Sequence, residues 1–372
     1  MRRAVPALLA LAALLLAAVA LLLHLLAPRP GEWAATLPVG PWQVRAGVPT
    51  LLRLATAPAF AAWLDGRRFA TRWGPVHWQW SRADRSLHLA CAPCRVALPA
   101  LGDAPVELPR LALAVFRDGE HLHGVLRADT GTEGGPALQA WFSGRLRQDG
   151  LALRLRLPGT PIADAYAVLA PRLPELAQAR IGGRLALQAA WDLPAGRLRI
   201  APRMDGFTVQ GLGTGLLADA VSACGPPSRL RRGDVLARAV LAAEDQRFFE
   251  HPGYDLQELQ AALAANRSAG GVRRGASTLS QQLAKRLVTG GERRLERKLR
   301  ELLYAVEMEQ TLGKARILRL YLDNAPWGAG VCGAEAAARH YFGRGAGELT
   351  RAQATWLAGQ LRRPHGPDRP AD

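Results

Sequence analysis

The chain has 372 residues, of which 49% are hydrophobic and 21% are charged, and its formal net charge is +17. This length and apolar content exclude a disordered chain and predict two domains with a sizeable core. The positive charge is typical of a protein that binds nucleic acid, an anionic membrane or a phosphate-bearing lipid. Only three of the 48 basic residues are lysines, namely Lys285, Lys298 and Lys314, and we expect specific contacts from them because ammonium and guanidinium groups are not equivalent.

The first predicted element is a membrane helix. The stretch from Ala4 to Ala27 carries no formal charge and is longer than the roughly 20 residues that cross a bilayer. A cleaved signal peptide is the alternative, but its apolar core is usually only about 7–15 residues long. Arg2 and Arg3 predict a cytoplasmic start. We therefore expect a single-pass protein of the inner (cytoplasmic) membrane with a periplasmic remainder, and we expect a membrane partner and no nucleic acid.

The next segment, residues 31–205, is predicted to form strands. Apolar side chains recur at every second position, as along residues 76–80, which is typical of half-buried strands. Asp-Gly pairs at 118–119 and 149–150 predict hairpin turns. Nothing in this segment indicates catalysis, so we expect a β-rich extracytoplasmic domain that binds a partner.

The sequence CAPC, which runs from Cys91 to Cys94, predicts a local disulfide in an oxidising compartment. A zinc site would need a second pair of ligands at a suitable spacing, and the sequence shows none. A redox-active pair is the weaker alternative, because the motif follows a strand-like run and no helix pattern follows it.

Beyond a glycine-rich linker at 206–225, the apolar spacing becomes helical. Asp234 is predicted to cap the first helix. Further helices are predicted at TLSQQLAKRLV, LERKLRELLYAVEMEQTL, KARILRLYLD and RAQATWLAGQL. We therefore expect an α+β protein with an anchor at 1–30, a β-rich domain at 31–205, a linker at 206–225 and a mostly helical domain at 226–372.

Two groups of polar residues in the helical part could carry chemistry. On the longest predicted helix, Arg297, Glu301 and Glu309 lie on one stripe that Lys298 borders, a pattern that alone is typical of a solvated surface. The stretch RRGASTLSQQLAKR adds donors at the start of a helix, where they suit phosphate oxygens. These donors are Ser277, Thr278, Gln281, Gln282 and Lys285.

Several motifs then occur in order. The pattern E-D-x-x-F-x-x-H-x-G is matched by Glu244, Asp245, Phe248, His251 and Gly253. A second motif, G-x-S-T-[IL]-[ST]-Q-Q-L-x-K-N, is matched over residues 275–285. A third is matched by Arg297, Lys298, Glu301, Ala305 and Glu309. GKARILRLYLD and GAEAAARHYFG match two further elements. With these motifs the chain resembles the family 51 glycosyltransferases, which are peptidoglycan polymerases.

The resemblance implies a mostly helical, lysozyme-like catalytic domain beside the membrane that polymerises lipid II. It implies that Glu244 is the general base. It also implies that Glu301 and nearby cations stabilise the polyprenyl pyrophosphate leaving group, directly or through a divalent cation. The implied cations are Lys285, Arg293, Arg297 and Lys298. Further implied substrate-binding residues are Asp245, Phe248, Ser277, Thr278, Gln281 and Gln282. For Phe248 we favour a packing role over stacking on the substrate.

The resemblance also implies partners and cofactors. The partners are lipid II, the growing glycan chain and the membrane, and we expect other cell-wall synthesis proteins to meet the β-rich domain. No cofactor is expected to be obligatory, and Mg²⁺ or Mn²⁺ is an optional ion. His251 is expected to fix a turn by hydrogen bonding.

The chain departs from the family pattern at Arg286 and Asp323, where the family usually has Asn, and at Arg319, where Glu is common. No transpeptidase signature follows. Two alternatives stay open at this point: a lytic enzyme on the related lysozyme-like fold, and an envelope scaffold or lipid-handling protein whose transferase domain has decayed.

Overall fold

A computed structural model describes residues 27–39, 42–96, 105–268, 275–290, 295–328 and 330–361, and positions 13, 14, 17, 20, 21 and 24. Contacts divide the chain into two compact units. The first unit comprises residues 1–95, 108–158 and 186–201, and the second comprises 96–107, 159–185 and 202–372. The α+β fold class is confirmed.

The predicted membrane anchor at 1–30 falls mainly outside the described residues. Within the described ones, no helix is both long and apolar enough to cross a bilayer.

The first elements are a hairpin and two short helices. Strands β1 (Ala34–Val39) and β2 (Trp42–Gly47) pair antiparallel, and helices α1 (Val48–Ala55) and α2 (Pro58–Trp63) follow. Both helices begin with a proline in the first turn, where the missing N–H costs nothing.

Most of the remaining strands form one nine-stranded sheet in the order β13-β12-β11-β10-β9-β8-β5-β4-β3. Strands β6 and β7 form a separate pair. In chain order the strands are β3 (Arg68–Thr71), β4 (Gly74–Ser81), β5 (Ser86–Cys91), β6 (Cys94–Val96), β7 (Val106–Leu108), β8 (Arg110–Asp118), β9 (His121–Asp129), β10 (Ala137–Leu146), β11 (Leu151–Pro161), β12 (Arg180–Leu193) and β13 (Arg197–Gln210).

The period-two alternation of the sequence gives this sheet two unlike faces in the first unit. Leu122, Leu146 and Leu151 lie on one face and form an apolar cluster, whereas the opposite face of the same strands carries exposed side chains, among them Trp141 and Arg154. The two Asp-Gly pairs lie between β8 and β9 and between β10 and β11. The predicted strands and hairpin turns are therefore confirmed.

The second unit is built mainly from helices. They are α3 (Ile162–Leu169), α4 (Val235–Glu244), α5 (Leu256–Ser268), α6 (Leu279–Ala284), α7 (Leu295–Thr311), α8 (Gly313–Asn324), α9 (Ala334–Phe342) and α10 (Arg351–Gln360). Helix α6 continues into a single π-helical turn, Lys285–Thr289. Such turns are rare and often occur at functional sites.

The core of the second unit surrounds large apolar side chains that water does not reach, including Phe248, Tyr321 and Trp327. Asp234 precedes α4 at the predicted cap position, but its carboxylate accepts a hydrogen bond from the backbone N–H of Arg231, which precedes the helix. Thr278 caps α6 through a reciprocal hydrogen-bond pair with Gln281.

Helix α7 is held on several sides by other segments of its own unit. The phenol of Tyr166 donates to the carbonyl of Leu299 at 3.1 Å. Arg300 forms an ion pair of 2.6 Å with the buried carboxylate of Glu175. These contacts fix the helix that carries Glu301.

Both cysteine pairs are disulfide-bonded. The predicted bridge between Cys91 and Cys94 is confirmed. A second bridge joins Cys224 to Cys332, which are 108 positions apart, and the sequence did not predict it.

Candidate active site

A cleft of about 600 Å³ opens in the second unit. Its walls come from the end of α4, the segment that follows α4, the start of α5 and the segment that leads into α6. The lining residues are Ala242, Ala243, Glu244, Asp245, Gln246, Arg247, Asp255, Glu258, Gly275, Ala276, Ser277, Thr278, Gln282 and Leu361.

Glu244 is the last residue of α4 and lines this cleft. The amide Nε2 of Gln282 donates a hydrogen bond of 2.9 Å to its Oε2 atom. The Oε1 atom of Gln282 in turn accepts a hydrogen bond of 2.9 Å from the phenol of Tyr321. Arg286 lies behind Tyr321, with its Nη2 atom 3.4 Å from the phenol oxygen. One carboxylate in the cleft is therefore held by a connected chain of donors.

Asp245 supports the cleft wall. Its buried carboxylate accepts hydrogen bonds from Nε2 of His251 at 3.0 Å and from the backbone N–H of Leu279, the first residue of α6, at 2.8 Å. The other ring nitrogen of His251 accepts from the backbone N–H of Gly253 at 3.2 Å. His251 therefore carries its proton on Nε2 when neutral. Its predicted role in fixing a turn is consistent with these two bonds.

Thr278 and Gln281 serve the start of α6. The hydroxyl of Thr278 donates to the carbonyl of Gly253 at 2.7 Å, and its backbone N–H donates to Oε1 of Gln281 at 3.2 Å. These side chains tie α6 to the turn after His251. Thr278 is buried but still contributes to the cleft wall.

Glu301 is the centre of a cationic cluster. Its side chain is only 1% exposed and forms ion pairs with Arg297 and Lys298, the latter at 2.7 Å from Oε2. The Nζ atom of Lys298 also donates to the hydroxyl of Ser277 at 2.6 Å. Because Ser277 lines the cleft, the cluster adjoins the same cleft as Glu244.

The pKa of Lys298 is lowered to about 8, first by burial and then by the positive charges of Arg297 and Lys285. Three cations therefore lie close enough to repel one another. Such a group binds an anion favourably, because a negative ligand relieves the mutual repulsion.

A further ion pair joins α7 to α8 next to the site. The Nζ atom of Lys314 lies 2.8 Å from Oε1 of Glu309, 2.6 Å from the carbonyl oxygen of His251 and 4.3 Å from the ring centroid of Phe248. The hydroxyl of Ser280 donates to the same carboxylate. Burial lowers the pKa of Lys314 although Glu309 opposes the shift.

The structure brings most of the predicted site residues together, but not all of them. Five line the cleft: Glu244, Asp245, Ser277, Thr278 and Gln282. The side chain of Phe248 is fully buried in the core, as expected for a packing residue. Gln281 is engaged in the cap of α6. Arg293 lies outside the described residues.

Tyr321 is a site residue that the sequence motifs do not single out, as are Arg247, Asp255 and Glu258 in the cleft wall. Tyr321 lies on α8, within the element ILRLYLD, so its place in a family motif was the available signal. Nothing in the sequence indicates that its phenol reaches Gln282, 39 positions earlier.

Two of the three departures from the family pattern have partners in the structure. Arg286 contacts Tyr321. One carboxylate oxygen of Asp323 accepts both the backbone N–H of Ser228 at 2.9 Å and its hydroxyl at 2.8 Å. Arg319 is exposed on α8, and nothing in the structure explains it.

In the described part of the chain, no group of three or more His, Cys, Asp or Glu side chains is arranged to hold a metal ion. The groups that could meet an anionic ligand are the cations of the Glu301 cluster and the donors along residues 275–282.

A carboxylate in a cleft that adjoins a cationic cluster suits a group-transfer enzyme, in which a base activates a hydroxyl and cations stabilise an anionic leaving group. Comparison with known proteins identifies the class. A profile of the Transglycosylase family matches residues 231–370.

Three biosynthetic peptidoglycan transglycosylases illustrate the similarity. The protein of Ectopseudomonas mendocina is 52% identical over 131 residues, which are 35% of this chain and 54% of the relative. That of Nitrosomonas eutropha is 46% identical over 129 residues, 35% and 53% of the two chains. That of Pseudomonas aeruginosa is 43% identical over 174 residues, 47% of this chain and 72% of the relative.

The chain therefore belongs to the transglycosylase family, the family 51 glycosyltransferases. It spans about half the length of the first two of these relatives.

Proposed function

We propose that this protein polymerises lipid II into β-1,4-linked glycan strands and releases polyprenyl pyrophosphate. The observation that carries the proposal is that Ser277 joins the two parts of the site. It lines the same cleft as Glu244 and also accepts a hydrogen bond from Lys298 of the Glu301 cluster. The base thus lines the cleft, and a set of cations for a leaving group adjoins it through Ser277. The similarity to biosynthetic peptidoglycan transglycosylases supports the same activity.

In this proposal Glu244 removes the proton from the 4-hydroxyl of the GlcNAc of lipid II. That oxygen forms a bond to the anomeric carbon of the terminal MurNAc of the growing chain, and the bond from this carbon to the pyrophosphate oxygen breaks. The configuration at the anomeric carbon is inverted. The hydrogen bond from Gln282 fixes one carboxylate oxygen of Glu244, which limits the orientations of the base.

The leaving pyrophosphate gains negative charge as the bond breaks, and fixed cations stabilise that charge. Lys298 and Arg297 are positioned for this by their ion pairs with Glu301, and the effect of Lys285 on the pKa of Lys298 places a third cation nearby. Glu301 therefore organises the cations in this proposal. A divalent cation at the pyrophosphate stays optional.

The proposed location is the inner membrane, with a single span near the N-terminus and both units on the periplasmic side. The uncharged stretch Ala4–Ala27 and the preceding arginines support this location. Extraction of isolated membranes at alkaline pH tests for the span. A chain that spans the bilayer should stay in the membrane pellet after this extraction. N-terminal sequencing of the mature protein separates a retained span from a cleaved signal peptide.

The activity is tested with the full chain in detergent and fluorescently labelled lipid II, followed by separation of the glycan products on a gel. We expect polymer from the wild type and a loss of rate of about 10²–10⁴-fold in Glu244→Gln. Glu133→Gln, an exposed change in the first unit, is the control and should keep the wild-type rate.

Parallel reactions with EDTA, Mg²⁺ or Mn²⁺ test the optional cation. Absence of polymer from the wild type in every condition would contradict the proposed activity. Polymer formation at the wild-type rate by Glu244→Gln would contradict the assignment of Glu244 as the base, but not the proposed activity.

A further inference from the structure

The first unit has a groove of about 710 Å³ across four neighbouring strands, β10 to β13. This volume lies within the range of about 300–1,000 Å³ that is usual for ligand sites. Each strand contributes three consecutive residues. The lining residues are Trp141, Phe142, Ser143, Arg154, Leu155, Arg156, Gln188, Ala189, Ala190, Arg199, Ile200 and Ala201.

The strand register shows which face of the sheet bears the groove. Trp141 pairs directly with Arg156, and Ser143 pairs with Arg154. Directly opposed residues point to the same face of a sheet, so these four side chains lie together. They are all exposed. The apolar cluster that contains Leu151 lies on the opposite face, because Leu151 and Arg154 have opposite parity along β11.

The groove carries a concentrated positive charge. Arg154 and Arg156 on β11 and Arg199 on β13 all line it, and no lining residue is acidic. Among the described residues, no carboxylate forms an ion pair with any of these three arginines. Arg197, the nearest outward-facing arginine to Arg199 along β13, is by contrast paired with Asp192 at 3.6 Å. The groove therefore offers three guanidinium groups to an external anion.

The shape of the groove limits what can occupy it. Strands β10, β11 and β12 each have a neighbour on both sides, so a peptide could add a strand only beside β13, the terminal strand of the sheet. The groove runs across the strands through the small side chains Ala190 and Ala201. An occupant that contacts the lining residues of all four strands therefore has to extend across the strands.

We infer that this groove binds an extended glycan strand that carries carboxylate groups. The exposed indole of Trp141 provides a broad apolar surface for the C–H face of a sugar ring. The arginine side chains match carboxylates in bidentate geometry, and Gln188 and Ser143 can hydrogen-bond hydroxyl and amide groups. The groove belongs to the first unit and the Glu244 cleft to the second, so glycan binding and catalysis can be tested separately.

The test measures binding to the full chain in non-ionic detergent by fluorescence anisotropy. The probe is a labelled digest of purified cell-wall glycan that retains its acidic peptides. Chitohexaose serves as an uncharged sugar chain, and vesicles of phosphatidylglycerol serve as an anionic bilayer. Glu244→Gln is used throughout, to separate binding in the groove from turnover in the cleft.

We expect the triple variant Arg154→Gln/Arg156→Gln/Arg199→Gln to weaken binding of the acidic glycan by at least tenfold, with Trp141→Ala weakening it by about fivefold. The control variant Arg45→Gln/Arg82→Gln/Arg85→Gln removes the same charge from exposed positions of the same unit and should change the affinity by less than twofold. Circular dichroism checks that all variants are folded.

Three results would overturn the inference. Equal losses in the groove variant and the charge-matched control would show that only net charge matters. Equal affinity for chitohexaose and the acidic glycan would show that carboxylates are not recognised. Binding of the vesicles, but not of the glycan, through Arg154, Arg156 and Arg199 would assign the groove to a membrane surface.

Discussion

The phenol of Tyr321 donates a hydrogen bond of 2.9 Å to Oε1 of Gln282. An amide oxygen can only accept and an amide nitrogen can only donate, so this bond determines which end of the Gln282 side chain faces Glu244. The nitrogen faces it, at 2.9 Å from Oε2. A guanidinium can donate a hydrogen bond but cannot accept one. Arg286 therefore donates to the phenol oxygen, and the phenol proton is left for Gln282. The orientation of one amide thus depends on a residue of α8 and on the π-turn.

Tyr321→Phe removes the group that orients this amide. One hydrogen bond is worth about 0.5–1.5 kcal/mol, so we expect the rate of lipid II polymerisation to fall about tenfold, with little change in the KM for lipid II. The measurement is the initial rate at several concentrations of lipid II, which separates kcat from KM.

Tyr341→Phe is the matched control. The Tyr341 phenol donates to the carbonyl of Trp327 at 3.1 Å within the same unit, so its loss should alter stability and leave kcat unchanged. A Tyr321→Phe enzyme with the wild-type kcat would show that Gln282 keeps its orientation without the phenol.

The strands and helices could be predicted from the sequence because their signals are local. Alternating apolar residues along 76–80 lie within β4, and both Asp-Gly pairs form turns between paired strands. Thr278 and Gln281 are spaced as a capping box, and the structure contains that box. Each of these signals depends only on neighbours within a few residues.

Contacts between distant segments could not be predicted in the same way. The carboxylate of Glu175 and the guanidinium of Arg300 are 125 positions apart but lie within hydrogen-bonding distance. The hydrogen bond from Tyr321 to Gln282 is another example, because it joins residues 39 positions apart. Both depend on tertiary packing, for which a single sequence has no periodic signal.

Lys298 makes the proposed reaction sensitive to pH on the alkaline side. With a pKa of about 8, its ammonium group is protonated in roughly nine-tenths of molecules at pH 7 and in roughly one-tenth at pH 9. The neutral form cannot stabilise the pyrophosphate, so kcat/KM for lipid II should fall as the pH rises through this range. Initial rates at pH 7, 8 and 9 at constant ionic strength measure the effect.

Lys298→Arg provides the control for this titration. A guanidinium keeps its charge to a pH above about 12, so the variant should lose the decline between pH 7 and 9 even where its overall rate is lower. An unchanged decline in Lys298→Arg would assign the alkaline limb to another group.

Glu307 anchors the segment around Leu212 to α7. Its buried carboxylate accepts the backbone N–H groups of Leu212 at 2.7 Å and of Thr214 at 3.0 Å. Glu307→Ala leaves both donors without this acceptor and should lower the free energy of unfolding by about 3 kcal/mol. Glu296→Ala, in the first turn of the same helix, should cost only about 0.5 kcal/mol. Urea unfolding of both variants measures the difference, and equal losses would contradict the anchoring role.

The disulfide between Cys224 and Cys332 should stabilise the second unit far more than the other bridge stabilises the first. It closes a loop over 108 positions, whereas Cys91 and Cys94 are three positions apart. Because a cross-link restricts the unfolded chain more when its loop is longer, Cys224→Ser/Cys332→Ser should cost about 2–4 kcal/mol. The matched variant Cys91→Ser/Cys94→Ser should cost clearly less. Chemical denaturation followed by circular dichroism compares the two, and an equal or larger loss in the short-loop variant would contradict this explanation.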